Sequence, residues 1–180
     1  MSANRVAALW GLTEATVFFL VPDVILTYVG ALRGVKAGLM ACGFALAGAL
    51  AGGSLTFILG ARAPDAVFAF LAHLPAISSG MVADVQTEVV TRGPWAMVLG
   101  PLTGTPYKIY AAVAGAQGVS YPLFLAVSVL ARLPRFAGAT VIAAWLAPRH
   151  PTQALRRRIQ AVWLAIWIAF YAIYFSIMPN

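Results

Sequence analysis

Charge is scarce in this chain. Asp, Glu, Lys and Arg make up only 9% of its 180 residues, against about 25% in an ordinary soluble domain. Cysteine is nearly absent too. The single thiol, Cys42, excludes an internal disulfide. It sits among small residues, where helix packing is its expected role. No zinc or haem spacing exists, no nucleophile stands beside a base, and no phosphate-binding loop is present. The chain therefore reads as a non-enzyme with no cofactor and no metal site.

What fills the sequence is apolar. Hydrophobic residues reach 62% and mean hydropathy is +0.87, so the composition is that of an integral membrane protein. The length suits one compact domain, 1–180. Net charge is +7. In so apolar a chain this excess points to anionic lipid rather than to nucleic acid, and the positive-inside bias of cytoplasmic loops accounts for much of it. The N-terminal run does not read as a signal peptide, because Glu14 sits in its middle and the run continues past the usual length.

Five apolar blocks follow one another: 6–32, 37–61, 94–117, 121–147 and 159–178. The last, 20 residues long, reaches roughly 30 Å as a helix, the thickness of the hydrocarbon core. The first and third are interrupted. Val21-Pro22-Asp23 breaks one, and Pro94, Gly100, Pro101, Gly104 and Pro106 break the other. Interrupted backbone at membrane depth survives only inside protein or against a wet cavity. The expected fold is therefore an all-α membrane protein with two re-entrant helical hairpins and about three transmembrane helices. The alternative is two kinked spanning helices in place of the hairpins.

The two interrupted blocks also resemble each other. PDVILTYVGALRGV (22–35) and PYKIYAAVAGAQGV (106–119) share proline, isoleucine, valine, glycine and valine without gaps. Repeated interrupted segments of this kind mark inverted-repeat transporters. The organisation expected is a first hairpin plus span (5–62), an amphipathic connector (63–92), a second hairpin plus span (93–148), a basic loop (149–158) and a C-terminal span (159–178). Arg5, Arg33, Lys36, Arg149, Arg156, Arg157 and Arg158 then share one side, and Arg62 and Arg92 the other. This places the N-terminus and the basic loop in the cytoplasm. A five-span chain divides the charges equally well, because the loops trade places, and it puts 63–93 on the cytoplasmic side.

In the connector, Met81, Val82, Val85 and Val89 share a helical face opposite Asp84, Thr87, Glu88 and Thr91, so this segment should lie on the membrane surface or pack on the hairpins. His73 reads as an interfacial residue. Gly34/Gly38 and Gly48/Gly52 are spaced for close helix approach, expected against a hairpin of the same chain, with a homo-oligomer left open.

Five ionisable residues fall inside the apolar blocks: Glu14, Asp23, Lys108, Arg132 and Arg135. Each costs ~2.5–3.5 kcal/mol at a helix centre on insertion scales, and such residues face a protein interior or cavity with partners. The two acids of the first hairpin and Lys108 of the second form the expected pairing. Arg132 and Arg135, three residues apart on one helical face, suit an anionic group, because guanidinium matches phosphate bidentately. Lys108, Arg132 and Arg135 are thus the candidate headgroup-binding residues. Glu14 and Asp23 are the counter-charges and candidate proton carriers. A purely structural salt-bridge network is the alternative.

The order of these features resembles the DedA family, also called the VTT or SNARE-associated domain. The matching stretches are WGLTEATVFF around Glu14, VPDVIL around Asp23, the glycine-rich span ending in GAR, GTPYKIYAAVAG around Lys108, and RLPRF with Arg132 and Arg135. They cover about 5–148. The resemblance implies hairpins facing each other from opposite sides of a bacterial inner membrane. It also implies translocation of an anionic lipid such as undecaprenyl phosphate or a phospholipid, with dependence on protons. By position, Glu14 and Asp23 match the family's essential acids, and Lys108, Arg132 and Arg135 its essential bases. Many bacterial members carry arginine where this chain has Lys108. The rival functions are a proton-coupled transporter of small solutes or ions, and a scaffold without transport.

Overall fold

The computed structural model describes residues 2–100, 104–148 and 152–178. Pro101, Arg149 and the start of the basic loop lie outside them. Among the described residues the chain is helical, with no strand. Three helices are long and apolar enough to cross a membrane: α3 (Val35–Arg62), α8 (Tyr121–Leu146) and α9 (Gln153–Ile177). Together they identify a membrane protein.

The remaining helices are short. The first apolar block forms α1 (Ala3–Glu14) and α2 (Asp23–Arg33). The connector forms α4 (Pro64–Ala72) and α5 (Ser79–Arg92), and the third block gives a 3-10 turn, α6 (Ala96–Leu99) and α7 (Tyr107–Ala116). At 1.5 Å per residue α1, α2 and α7 are ~18, ~16 and ~15 Å long, about half the ~30 Å hydrocarbon core.

Local chemistry sets most boundaries. Ser2, Ser78 and Thr152 cap α1, α5 and α9 with their side-chain oxygens. Pro64 opens α4, where its missing N–H costs nothing. The aligned stretches found in sequence also correspond in shape. Pro22 and Pro106 each precede a helix start, α2 and α7, and Gly34 and Gly118 follow the two helices with φ of 82° and 69°. Only glycine adopts that left-handed backbone without strain.

The first break is longer than Val21-Pro22-Asp23. The helix ends at Glu14, eight residues before Pro22. The Thr13 carbonyl gathers the N–H groups of Thr16, Val17 and Phe18 at 3.2, 2.8 and 2.7 Å. Thr13 and Thr16 also donate their hydroxyls back to carbonyls of the preceding turn. Such back-bonding by threonine offers the chain an alternative to continued helix.

The helices pack through glycine. A side chain on Gly48 or Gly52 would strike the Ala8 or Leu12 carbonyl of α1, and one on Gly11 the Ala45 carbonyl of α3. Thr56 donates to the Ala15 carbonyl at 2.9 Å. Thus α1 runs parallel to α3 in close backbone contact. The expectation of packing within the chain holds for Gly48 and Gly52, whereas Gly34 serves as a turn. Helix α2 returns antiparallel, with Gly30 against Gly38 and Thr140. Helix α8 runs antiparallel to α3, tied by Tyr121–Ser54 at one end and Cys42–Thr140 at the other. Helix α7 is buried from Tyr107 to Gly115, held between α3 and α5. In contrast, α9 buries no residue and leans mainly on α2.

The connector is two helices, divided at 73–78. In α5, Val82, Val85 and Val89 are buried against α7, so it packs on protein with the face read from sequence. Glu88, on the face opposite those valines, accepts the Tyr110 hydroxyl at 2.6 Å. His73 Nδ1 lies 2.6 Å from the Ala69 carbonyl, a local helix-end contact.

Overpacking a filled helix contact costs about 1–3 kcal/mol. Gly48→Ala should therefore lower the melting temperature of the detergent-solubilised protein by several degrees. Gly43→Ala, which meets nothing within 4 Å, should not. Equal melting temperatures for the two variants would refute the close α1–α3 contact.

Candidate functional site

Arg132 and Arg135 stand near the middle of α8. Arg132 follows Tyr121 by eleven residues and precedes Leu146 by fourteen, ~17 and ~21 Å along the helix. A charge there needs a partner. The two ends of the first interrupted block supply it. Glu14, the last residue of α1, lies with Oε2 2.7 Å from Arg132 Nη1. Asp23, the first residue of α2, lies with Oδ2 2.8 Å from Arg135 Nη1. All four residues except Arg135 are buried. The i, i+3 spacing thus lets one helix face meet both ends of one loop.

Lys108 differs from its expected pairing. Among the described residues its ammonium contacts no carboxylate. It donates instead to the Phe18 carbonyl at 2.6 Å, inside the 15–22 loop. The physical reason is position. The two carboxylates are already engaged by the arginines, and Phe18 lies beyond the end of α1, where its carbonyl lacks a helical partner. Lys108 therefore closes a backbone acceptor and forms no ion pair among the described residues.

The loop's other polar groups are met in the same way. Trp10 Nε1 donates to the Leu20 carbonyl at 2.9 Å, and the Val21 N–H donates to the Tyr171 hydroxyl of α9 at 2.8 Å. Tyr174 donates to the Gly104 carbonyl of the second break at 3.3 Å. Interrupted backbone in an apolar chain is stable only when supplied with such partners.

The five charged residues line one cavity of about 520 Å³. Helix α9 closes its far wall with Trp167, Phe170, Tyr171 and Tyr174. The cavity thus joins a charged floor to an aromatic wall. Tyr107 adds a third feature. Its ring lies under the Arg132 guanidinium, 3.9 Å from centroid to Cζ, and its hydroxyl bonds Ser128 at 2.8 Å. A guanidinium over an aromatic face gains cation–π attraction and is held flat.

The guanidinium remains under-bonded. Arg132 is 1% exposed, yet its Nε and Nη2 have no hydrogen-bond partner among the described residues. Nη1 is close to Glu14 but poorly aligned with it. Buried polar groups normally find partners, and an orphaned one in a cavity marks strain or a binding role. The arrangement can receive a small anion: a stacked arginine with open donors, a second arginine and a lysine with only a neutral partner. Among the described residues no three His, Cys, Asp or Glu side chains cluster as metal ligands.

Tyr107, Tyr171 and Tyr174 did not stand out in sequence. A signal was present, since Trp163, Trp167, Phe170, Tyr171 and Tyr174 recur at helical spacing along one face of α9. In an apolar span that spacing also fits lipid-facing aromatics. No family model, curated protein or solved structure matches this chain. The site therefore rests on its own geometry.

Removing one partner of a buried ion pair costs about 3–5 kcal/mol, because the other charge is left uncompensated. Arg132→Met should therefore destabilise the protein strongly, and Glu14→Gln/Arg132→Met should recover most of the loss. Equilibrium unfolding in mixed detergent micelles measures both. Additive losses would show that the two side chains are not coupled.

Proposed function

We propose that this protein moves an anionic, phosphate-bearing lipid across a membrane. The observation that carries the reading is the central cavity, where three basic side chains meet two acidic ones, a formal net charge of +1 with all five ionised, and where Arg132 keeps buried donors without a hydrogen-bond partner. In the empty site Glu14 and Asp23 neutralise the arginines. An arriving phosphate meets Lys108 first, since that ammonium holds only the Phe18 carbonyl. It then competes with the carboxylates for the guanidiniums, whose planar donors fit phosphate oxygens. Protons taken up by Glu14 or Asp23 would loosen the acid–arginine pairs and couple movement to a proton gradient.

The hairpin reading belongs to this proposal. In it α1 and α2 form one re-entrant hairpin, and the segment from the 3-10 turn through α7 forms the second. Several observations support it. Glu14 and Asp23, at the facing ends of α1 and α2, both reach the middle of α8. Helix α7 contacts the C-terminal part of α3, with Gly60 against Ala112 and Gly115 against Phe57. Its first turn carries Lys108 to the tip of the first loop. Short helices followed by one long span occur twice, as α1–α2–α3 and α6–α7–α8. Inverted repeats with broken helices place their binding sites where the two halves meet. On this reading the chain is a small bacterial relative of the DedA family, in the plasma membrane.

The aromatic wall supports a lipid substrate over a small solute. Helix α9 buries nothing, and its tyrosines attach to both broken segments by single hydrogen bonds. Its displacement opens the cavity sideways, so a headgroup enters while its apolar chain stays in the bilayer.

The test is translocation of a fluorescent anionic phospholipid in reconstituted vesicles, read by quenching of the outer leaflet. Lys108→Gln should slow movement at least tenfold while the protein remains folded, and Lys108→Arg should retain most of it. Equal rates for wild type and Lys108→Gln would overturn the proposal.

A further inference from the structure

A second cavity, of about 390 Å³, lies at the other end of the α2–α9 seam and shares no residue with the central one. Arg33 at the end of α2 and Arg156 and Arg157 in the second turn of α9 converge on it, with Tyr28, Gln153 and Gln160. No acid lines it. The chain has five acids in all. Glu14 and Asp23 are engaged in the central cavity, and Asp65, Asp84 and Glu88 belong to α4 and α5. Among the described residues none of the three arginines has a carboxylate partner. The three arginines are exposed, so solvent screens their mutual repulsion, and no carboxylate among the described residues pairs with them.

The side chains are also arranged, not merely gathered. Arg156 Nη2 donates to the Leu32 carbonyl at 3.0 Å, which holds that guanidinium at the rim. Gln160 Nε2 donates to the Tyr28 hydroxyl at 2.8 Å. That bond uses the phenol as acceptor and leaves its own proton to donate. The Tyr28 ring is fixed edge-on to Trp163, with centroids 5.1 Å apart. A cytoplasmic excess of arginine meets the positive-inside rule wherever its side chains point, and these three are exposed. Arg158, next along α9, does not line the cavity. Convergence of the other three around a neutral donor is a further feature, and it is the pattern of basic pockets that hold lipid headgroups beside transmembrane helices.

We propose that Arg33, Arg156 and Arg157, with the Tyr28 hydroxyl, form a second anion site that binds a phosphate ester or free phosphate. This site does not depend on the function assigned to the central cavity. It lies at the start of α9, one helix length of α2 from Asp23.

The test is calorimetric titration of the detergent-purified full chain with dihexanoyl phosphatidic acid and, separately, with inorganic phosphate. Arg156→Gln/Arg157→Gln should weaken binding at least tenfold, and Arg33→Gln, on the other helix, at least threefold. Arg158→Gln should change it less than twofold. These substitutions alter exposed side chains, so melting temperatures should stay within a degree of wild type. Binding should persist in Lys108→Gln, which separates this site from the central one. Tighter binding of the lipid assigns the site to a headgroup, and equal binding assigns it to free phosphate. No binding of either probe overturns the proposal. So does binding that survives both the double variant and Arg33→Gln, or that is lost only in Lys108→Gln.

Discussion

The structure depends on the pairing of charges at the middle of α8. An uncompensated arginine at that depth is costly, and an uncompensated carboxylate is no better. Arg132 and Arg135 therefore require Glu14 and Asp23, and the requirement fixes where the first broken segment must end. The loop between those acids then needs partners for its backbone. It takes them from Trp10, Lys108 and Tyr171. One electrostatic constraint thus draws α1, α2, α7, α8 and α9 to a common point.

This mutual dependence explains why the site can be both stable and receptive. Each arginine is neutralised, so the fold tolerates it. Neither pair is saturated, because Arg132 and Arg135 each keep a donor without a hydrogen-bond partner among the described residues. Ion pairs inside a protein contribute little net stability and are costly when halved. The glycine contacts between α1 and α3 supply the rigid side of the arrangement, whereas α9 buries no residue and is held to α2 and the two breaks by side-chain hydrogen bonds.

Much of this was legible in residues whose presence is expensive. Glu14, Asp23, Lys108, Arg132 and Arg135 could be grouped from sequence because each violates the composition around it. The three long helices followed from apolar length alone. What could not be read was the partner of each charge. Lys108 was matched with the acids by sign, yet backbone acceptors are invisible in sequence, and it took the Phe18 carbonyl. The extent of the first break was hidden for a related reason. Pro22 announces a break, but threonine back-bonding moves its start to Glu14. Periodicity put Glu88 opposite the apolar face of α5 but could not show that it accepts the Tyr110 hydroxyl. The aromatic face of α9 was present as a pattern but had two meanings, lipid or cavity, until α2 and α7 set its surroundings.

The account's central claim is that two interrupted segments enter the membrane from opposite sides and meet at the charged cavity. The direct measurement uses single cysteines in a Cys42→Ala background. Ser79→Cys and Ser120→Cys, both at exposed positions, are labelled with a charged, membrane-impermeant reagent in sealed vesicles of one orientation. The account predicts that both react from the same side, opposite to Ser2→Cys. Labelling of residues 79 and 120 from different sides would contradict it, because the third apolar block would then cross the membrane.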